Sequence, residues 1–95
     1  MAVLEDVKTA MRIKHDALDD LLSKQIATAR AEMVRAGVPQ AVAQDDDNYC
    51  VTDAVITFCQ MRNADSMNDA DKYTESWKYQ LDCLRKSTMG MVGGD

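Results

Sequence analysis

The sequence predicts an all-α chain: a small bundle of four helices, one short and N-terminal and three longer, with no sheet. Two observations carry this. Apolar residues recur at i, i+3, i+4 spacing in four separate stretches, the period of a helix with one buried face. The chain holds one proline and four glycines, three of the glycines in the last six residues, too few breaks for a string of strands and hairpins. Its 95 residues allow one domain, expected over residues 1–86, with 87–95 as a flexible C-terminal tail.

The first helix is expected over Val3–Arg12, where Val3, Leu4, Val7, Ala10 and Met11 share a face and Glu5 and Asp6 suit the first turn. Ten residues are marginal alone, so it must dock. Ile13-Lys14-His15 then lead into Asp16–Gly37, the stretch around which the rest is expected to pack. Leu18, Leu21, Leu22, Ile26, Ala29 and Met33 form its apolar stripe. Asp16 is placed as N-cap, with Asp19 in an acidic first turn. Gly37 stops the helix in a left-handed conformation, Val38 folds back on Met33, and Pro39 forbids continuation.

The segment from Val38 to Asn48 is expected to be mostly loop, with at most one helical turn through Ala43. Asp45 to Asn48 supply alternative N-caps for a helix ending near Ala64. Val51, Ala54, Val55, Phe58 and Cys59 share its face, with Tyr49 and Ile56 on the other side. Ser66 or Asn68 caps the last helix, Asp69–Lys86, where Ala70, Tyr73, Trp77, Leu81 and Leu84 are in register. The expected core is therefore Leu4, Val7, Met11, Leu18, Leu22, Ile26, Met33, Val55, Phe58, Tyr73, Trp77, Leu81 and Leu84.

Composition narrows the function. A net charge of −5 and a pI near 4.7 argue against ordinary basic nucleic-acid binding. No apolar run reaches the roughly 20 residues of a membrane span, and the first residues are too acidic for a signal peptide. Three cysteines, an odd number, read as reduced thiols.

Candidate chemistry is sparse. Asp45-Asp46-Asp47 invites a magnesium reading. Adjacent carboxylates diverge, however, and nothing in the sequence completes such a site, so they read as caps and solvated loop. His15 is the only histidine and has no zinc-binding pattern near it. No catalytic, cofactor-binding or metal residue is assigned, and no cofactor is expected. What stands out is surplus apolar surface. Ser23, Ala27, Ala31 and Val34 form a second, small-residue stripe on the long helix, flanked by Asp20, Lys24, Arg30 and Arg35. With Tyr49, Ile56 and the off-stripe Tyr79, they are the expected subunit interface; the rival is a further helix contact within the monomer.

Leu4-Glu-Asp-Val-Lys-Thr-Ala-Met-Arg-Ile-Lys-His-Asp16, then Leu18-Asp-Asp-Leu-Leu and Ile26-Ala-Thr-Ala29, resembles the start of the head–tail connector (DNA-packaging adaptor) family of tailed bacteriophages. Met11-Arg12-Ile13 stands for that family's Leu-Arg-Ile-like triplet, with methionine where leucine is usual, and Asp16 with Asp19 for its acidic turn. Tyr73, Trp77 and Leu81-Asp-Cys-Leu84-Arg-Lys-Ser87 are similar to its last helix. The resemblance covers both ends well and the middle barely. It implies a structural virion protein and no enzyme: a homo-oligomeric ring of about a dozen copies under the portal protein. Such a ring extends the DNA channel and docks a further connector or tail-completion protein. DNA would pass without sequence-specific contact, and no membrane is involved. The implied location is the head–tail junction of the virion, and the bacterial host cytoplasm before assembly. The alternatives are a small dimeric regulatory or protein-binding module and, behind it, a metal-dependent enzyme at Asp45–Asp47.

Overall fold

Among the described residues, four helices and one extra turn follow in order: α1 (Ala2–Ala10), α2 (Asp19–Ala36), the single turn α3 (Gln40–Ala43), α4 (Tyr49–Arg62) and α5 (Met67–Gly93). The structure is a computed structural model that describes residues 2–93, with side chains over 3–86. Among the described residues there is no strand.

The centre of the fold is α4, which packs against α1, α2 and α5. The sequence made the long helix α2 the organiser. Pattern alone shows which face is apolar, not how many neighbours cover it. Val51, Ala54, Val55, Phe58 and Cys59 of α4 are all buried, and so are Thr52 and Thr57, giving a helix apolar around most of its circumference. The two buried hydroxyls donate back to the Tyr49 and Asp53 carbonyls, at 3.2 and 3.1 Å, and so carry no unmet hydrogen bond. Phe58 meets Trp77 of α5 edge to face, 4.9 Å between centroids, an arrangement aromatic quadrupoles favour.

The other buried apolar side chains come from every element: Val3 and Val7 of α1, Leu22, Ile26, Ala29 and Met33 of α2, Val38, Ala43 of α3, and Trp77 and Leu84 of α5. Leu4, Met11, Ile56 and Leu81 pack on this cluster while partly exposed, and Tyr73 is half-buried at a cleft. Two expectations need correction. Leu18 and Leu21, placed by the pattern on the buried stripe, are 36% and 44% exposed: α2 begins only at Asp19, which leaves Leu18 outside the helix, and Leu21 lies at the edge of the face that buries Leu22, Ile26, Ala29 and Met33. Nor does Asp16 cap α2. Leu18 holds that position with no side-chain bond, and the Asp16 carboxylate lies instead 2.9 Å from Lys8 Nζ.

Helix ends show how the turns are made. Gly37 (φ 113°) closes α2 by donating to Val34 O while Val38 N–H reaches Met33 O at 2.9 Å, a Schellman motif with Val38 buried behind it. The same pair of bonds ends α1: Ile13 N–H to Lys8 O at 2.8 Å and Arg12 N–H to Thr9 O at 3.1 Å. The left-handed position there is Arg12, φ 59°, where glycine is usual. Asn48 caps α4 through bonds from the Cys50 and Val51 amides, and Ser66 Oγ accepts from Asp69 N–H at 3.1 Å, so α5 starts two residues before the expected Asp69. No proline interrupts it after Lys86, and its backbone stays helical to Gly93. The side chains of the expected tail, and residues 94 and 95, lie outside the described residues.

Polar ties complete the bundle. Arg30, expected on the exposed flank, is buried; its Nη1 donates to Ala43 O at 3.2 Å and its Nη2 meets Asp46 Oδ1 at 2.7 Å. Buried Gln25 accepts from Asn63 Nδ2 at 2.7 Å, locking α2 to the end of α4.

Candidate functional site

The inward side of α2 is spent on Leu22, Gln25, Ile26, Ala29, Arg30 and Met33. On its outer side Ser23, Ala27 and Ala31 are exposed, and Val34 is 40% exposed. Small side chains at this spacing leave the helix backbone approachable by another helix, and none within the described residues covers them. Lys24 and Arg35 flank the stripe, with Arg35 paired to Glu32 at 3.0 Å. Leu18 and Leu21 are exposed as well, but lie off this stripe.

The remaining candidates separate. Tyr49, opening α4, is 82% exposed, and Tyr79 on α5 is 72% exposed. A hydrogen bond to Cys83 pushes the Tyr79 hydroxyl's pKa up. Ile56, by contrast, is partly buried against the core, so much of its apolar surface is already used within the subunit. Sequence reasoning missed Met67, 78% exposed, because it preceded the expected helix start.

Two surface depressions among the described residues bear on the site. One, about 250 Å³, sits where α1, α4 and α5 converge and is lined by Met11, Arg12, Asn63, Asp65, Asp69 and Tyr73 among others. The second, about 190 Å³, runs between the end of α2 and α5, with Ala36 and Leu81 as its apolar floor and Lys78, Asp82 and Arg85 around it. Arg85 spans this groove, 3.5 Å from Ala36 O and 3.3 Å from Asp82 Oδ1. A cation here suits the carbonyl end of α2.

Electrostatics are structural rather than catalytic in pattern. Lys8 Nζ lies 2.9 Å from both Asp16 and Asp19. Asp19 and then Asp16 push the lysine's pKa up, and the Lys8 hydrogen bond holds the Asp16 carboxyl below its usual range. The Asp45–Asp47 run divides its tasks: Asp45 Oδ1 accepts from Asp47 N–H at 2.9 Å, and Asp46 goes to Arg30. Among the described residues no three potential ligands gather as a metal site. Cys59 is buried and its thiol is pushed up to about 11 by desolvation, which keeps it protonated and poorly nucleophilic. Cys50 and Cys83 are exposed free thiols, and the lone His15 is exposed.

Against known proteins, the model of the family described as phage gp6-like head–tail connector protein matches residues 1–85. The chain belongs to that family. It is a structural component of the phage head–tail connection, and the matched span takes in α1 to α4 and α5 as far as Arg85. No curated protein and no solved structure matches this connector. Among the described residues no helix of the connector is long and apolar enough to cross a membrane.

Proposed function

We propose that this connector works as a non-enzymatic subunit of a closed homo-oligomeric ring under the portal of a filled phage head. There it extends the DNA channel and presents a docking surface to the next connector or tail-completion protein. The observation that carries the ring is the outer face of α2: Ser23, Ala27, Ala31 and Val34 stay uncovered on a helix whose inner face is fully used. A heterologous contact, one patch of each subunit on a different patch of the next, closes into a ring when its rotation allows. Tyr49 and Tyr79 supply exposed aromatic surface of the kind interfaces use. The net charge of −5 suits a channel wall that must release DNA, since it offers few phosphate-binding cations and repels the backbone. The ring is read as about a dozen copies, held in the host cytoplasm until assembly at the head.

The test is Ala31→Glu, with Ala27→Glu beside it. Each places a charge on the exposed stripe without touching the core, so each is expected to give a folded chain, checked by its circular dichroism melt, that no longer assembles. Assembly of either variant at the wild-type concentration contradicts this contact.

A further inference from the structure

We infer that the groove between α2 and α5 receives the Tyr49 side chain of a neighbouring copy, with the aspartates around Tyr49 facing the cations around the groove. This rests on the ring reading and assigns its second, complementary pair of surfaces.

Three features of the subunit support it. The first is charge. The groove sides carry Lys78 and Arg85, with Lys86 just beyond; the single carboxylate there, Asp82, is already held by Arg85 at 3.3 Å and Lys86 at 3.0 Å. Among the described residues Lys78 makes no ion pair. In a chain of net charge −5 this is a local cationic patch. Tyr49 has the opposite setting. Asp47 precedes it, Asp53 follows one turn later on the same face of α4, and both are exposed. Opposed patches of this kind steer encounter and set register.

The second feature is shape. Tyr49 is the most exposed of the large apolar residues described, at 82%, and it protrudes from the first turn of α4. The groove offers about 190 Å³ over Ala36 and Leu81, room for one aromatic ring with cations at its edges, where cation–π attraction adds to burial.

The third is placement. The groove lies between α2 and α5, whereas Tyr49 and Asp53 are exposed on the side of α4 away from its buried residues. Knob and groove therefore occupy different patches of the subunit. A contact between two different patches is heterologous, and closes into a ring when its rotation allows.

The experiment measures the midpoint concentration of assembly by sedimentation velocity for wild type, Tyr49→Ala, Lys78→Glu, Asp53→Lys and the double variant Asp53→Lys/Lys78→Glu. All three positions are exposed, and unchanged melts check folding. Removing a central aromatic anchor is expected to raise the midpoint roughly tenfold or more. Each single charge reversal raises it too, and the double variant returns toward wild type because the pair is restored with its sign exchanged. Tyr49→Ala assembling at the wild-type midpoint, or a double variant worse than both singles, overturns the contact. If these variants assemble normally while Ala31→Glu does not, the ring survives and only this pairing falls. A wild type that stays monomeric, alone and with isolated portal rings, overturns both.

Discussion

Replacing the three adjacent aspartates one at a time separates a structural loop from a metal site. Asp46→Ala removes the carboxylate 2.7 Å from Arg30 Nη2 and leaves that guanidinium, its side chain 10% exposed, with only the Ala43 carbonyl at 3.2 Å. A charge-assisted hydrogen bond is worth about 1.5–3 kcal/mol. Asp46 itself is 40% exposed, so water replaces part of the loss and the expected cost is about 1–2 kcal/mol. For a domain of this size each kcal/mol moves Tm by roughly 4–8 °C, so calorimetry should show a fall of about 4–16 °C. Asp47→Ala deletes a side chain that accepts no bond from the described residues and should stay within about 0.5 kcal/mol. Asp45→Ala loses its turn bond to the Asp47 amide, a neutral backbone donor, and falls between the two, near 0.5–1 kcal/mol. Magnesium should leave all four Tm values unmoved. Equal effects at the three positions would refute the Arg30 assignment. A magnesium-dependent rise in Tm that each substitution abolishes would revive the metal reading.

Three further outcomes follow from named contacts. Gly37→Ala has space for its Cβ, 3.7 Å from Arg85 Cδ, so its cost is the left-handed backbone alone, about 1–2 kcal/mol by thermal melting. Arg12→Gly relieves the same conformation at the end of α1 and should raise stability by up to about 1 kcal/mol, an unusual sign for introducing glycine. Lys8→Met tests the clasp through pH. Asp16, whose pKa is lowered in the fold, stabilises above its ordinary 3.8 and loses that contribution as pH falls through the lowered value. Lys8, whose pKa is raised, stabilises below its ordinary 10.5 and loses it as pH rises beyond. Melts across pH should therefore show shallower acid and alkaline limbs in Lys8→Met than in wild type; superimposable limbs would show that the clasp contributes nothing.

Local chemistry was legible where a signal sits next to what it controls. Gly37-Val38-Pro39 announced the end of α2, Asn48 and Ser66 stood among the candidate caps for α4 and α5, and the helical period located most buried faces. What depended on distant partners was not. Asp16 looks like a cap until Lys8 claims its carboxylate, which shifts the start of α2 and leaves Leu18 outside the helix. Arg30 reads as a surface cation until Asp46 and Ala43 draw it inward. Arg12 carries no hint that it occupies glycine's place. The candidate interface was legible as surplus: the outer stripe of α2 and the tyrosines are exposed, whereas Ile56 is partly consumed by the core. The groove beside Ala36 was not legible, because it needs the crossing of α2 with α5.

Native mass spectrometry of the connector across a concentration series, alone and with isolated portal rings, tests the central claim most directly. A single closed ring that grows in with concentration, or forms once the portal is added, is the predicted result. A strict dimer under both conditions would contradict the ring and favour a dimeric module.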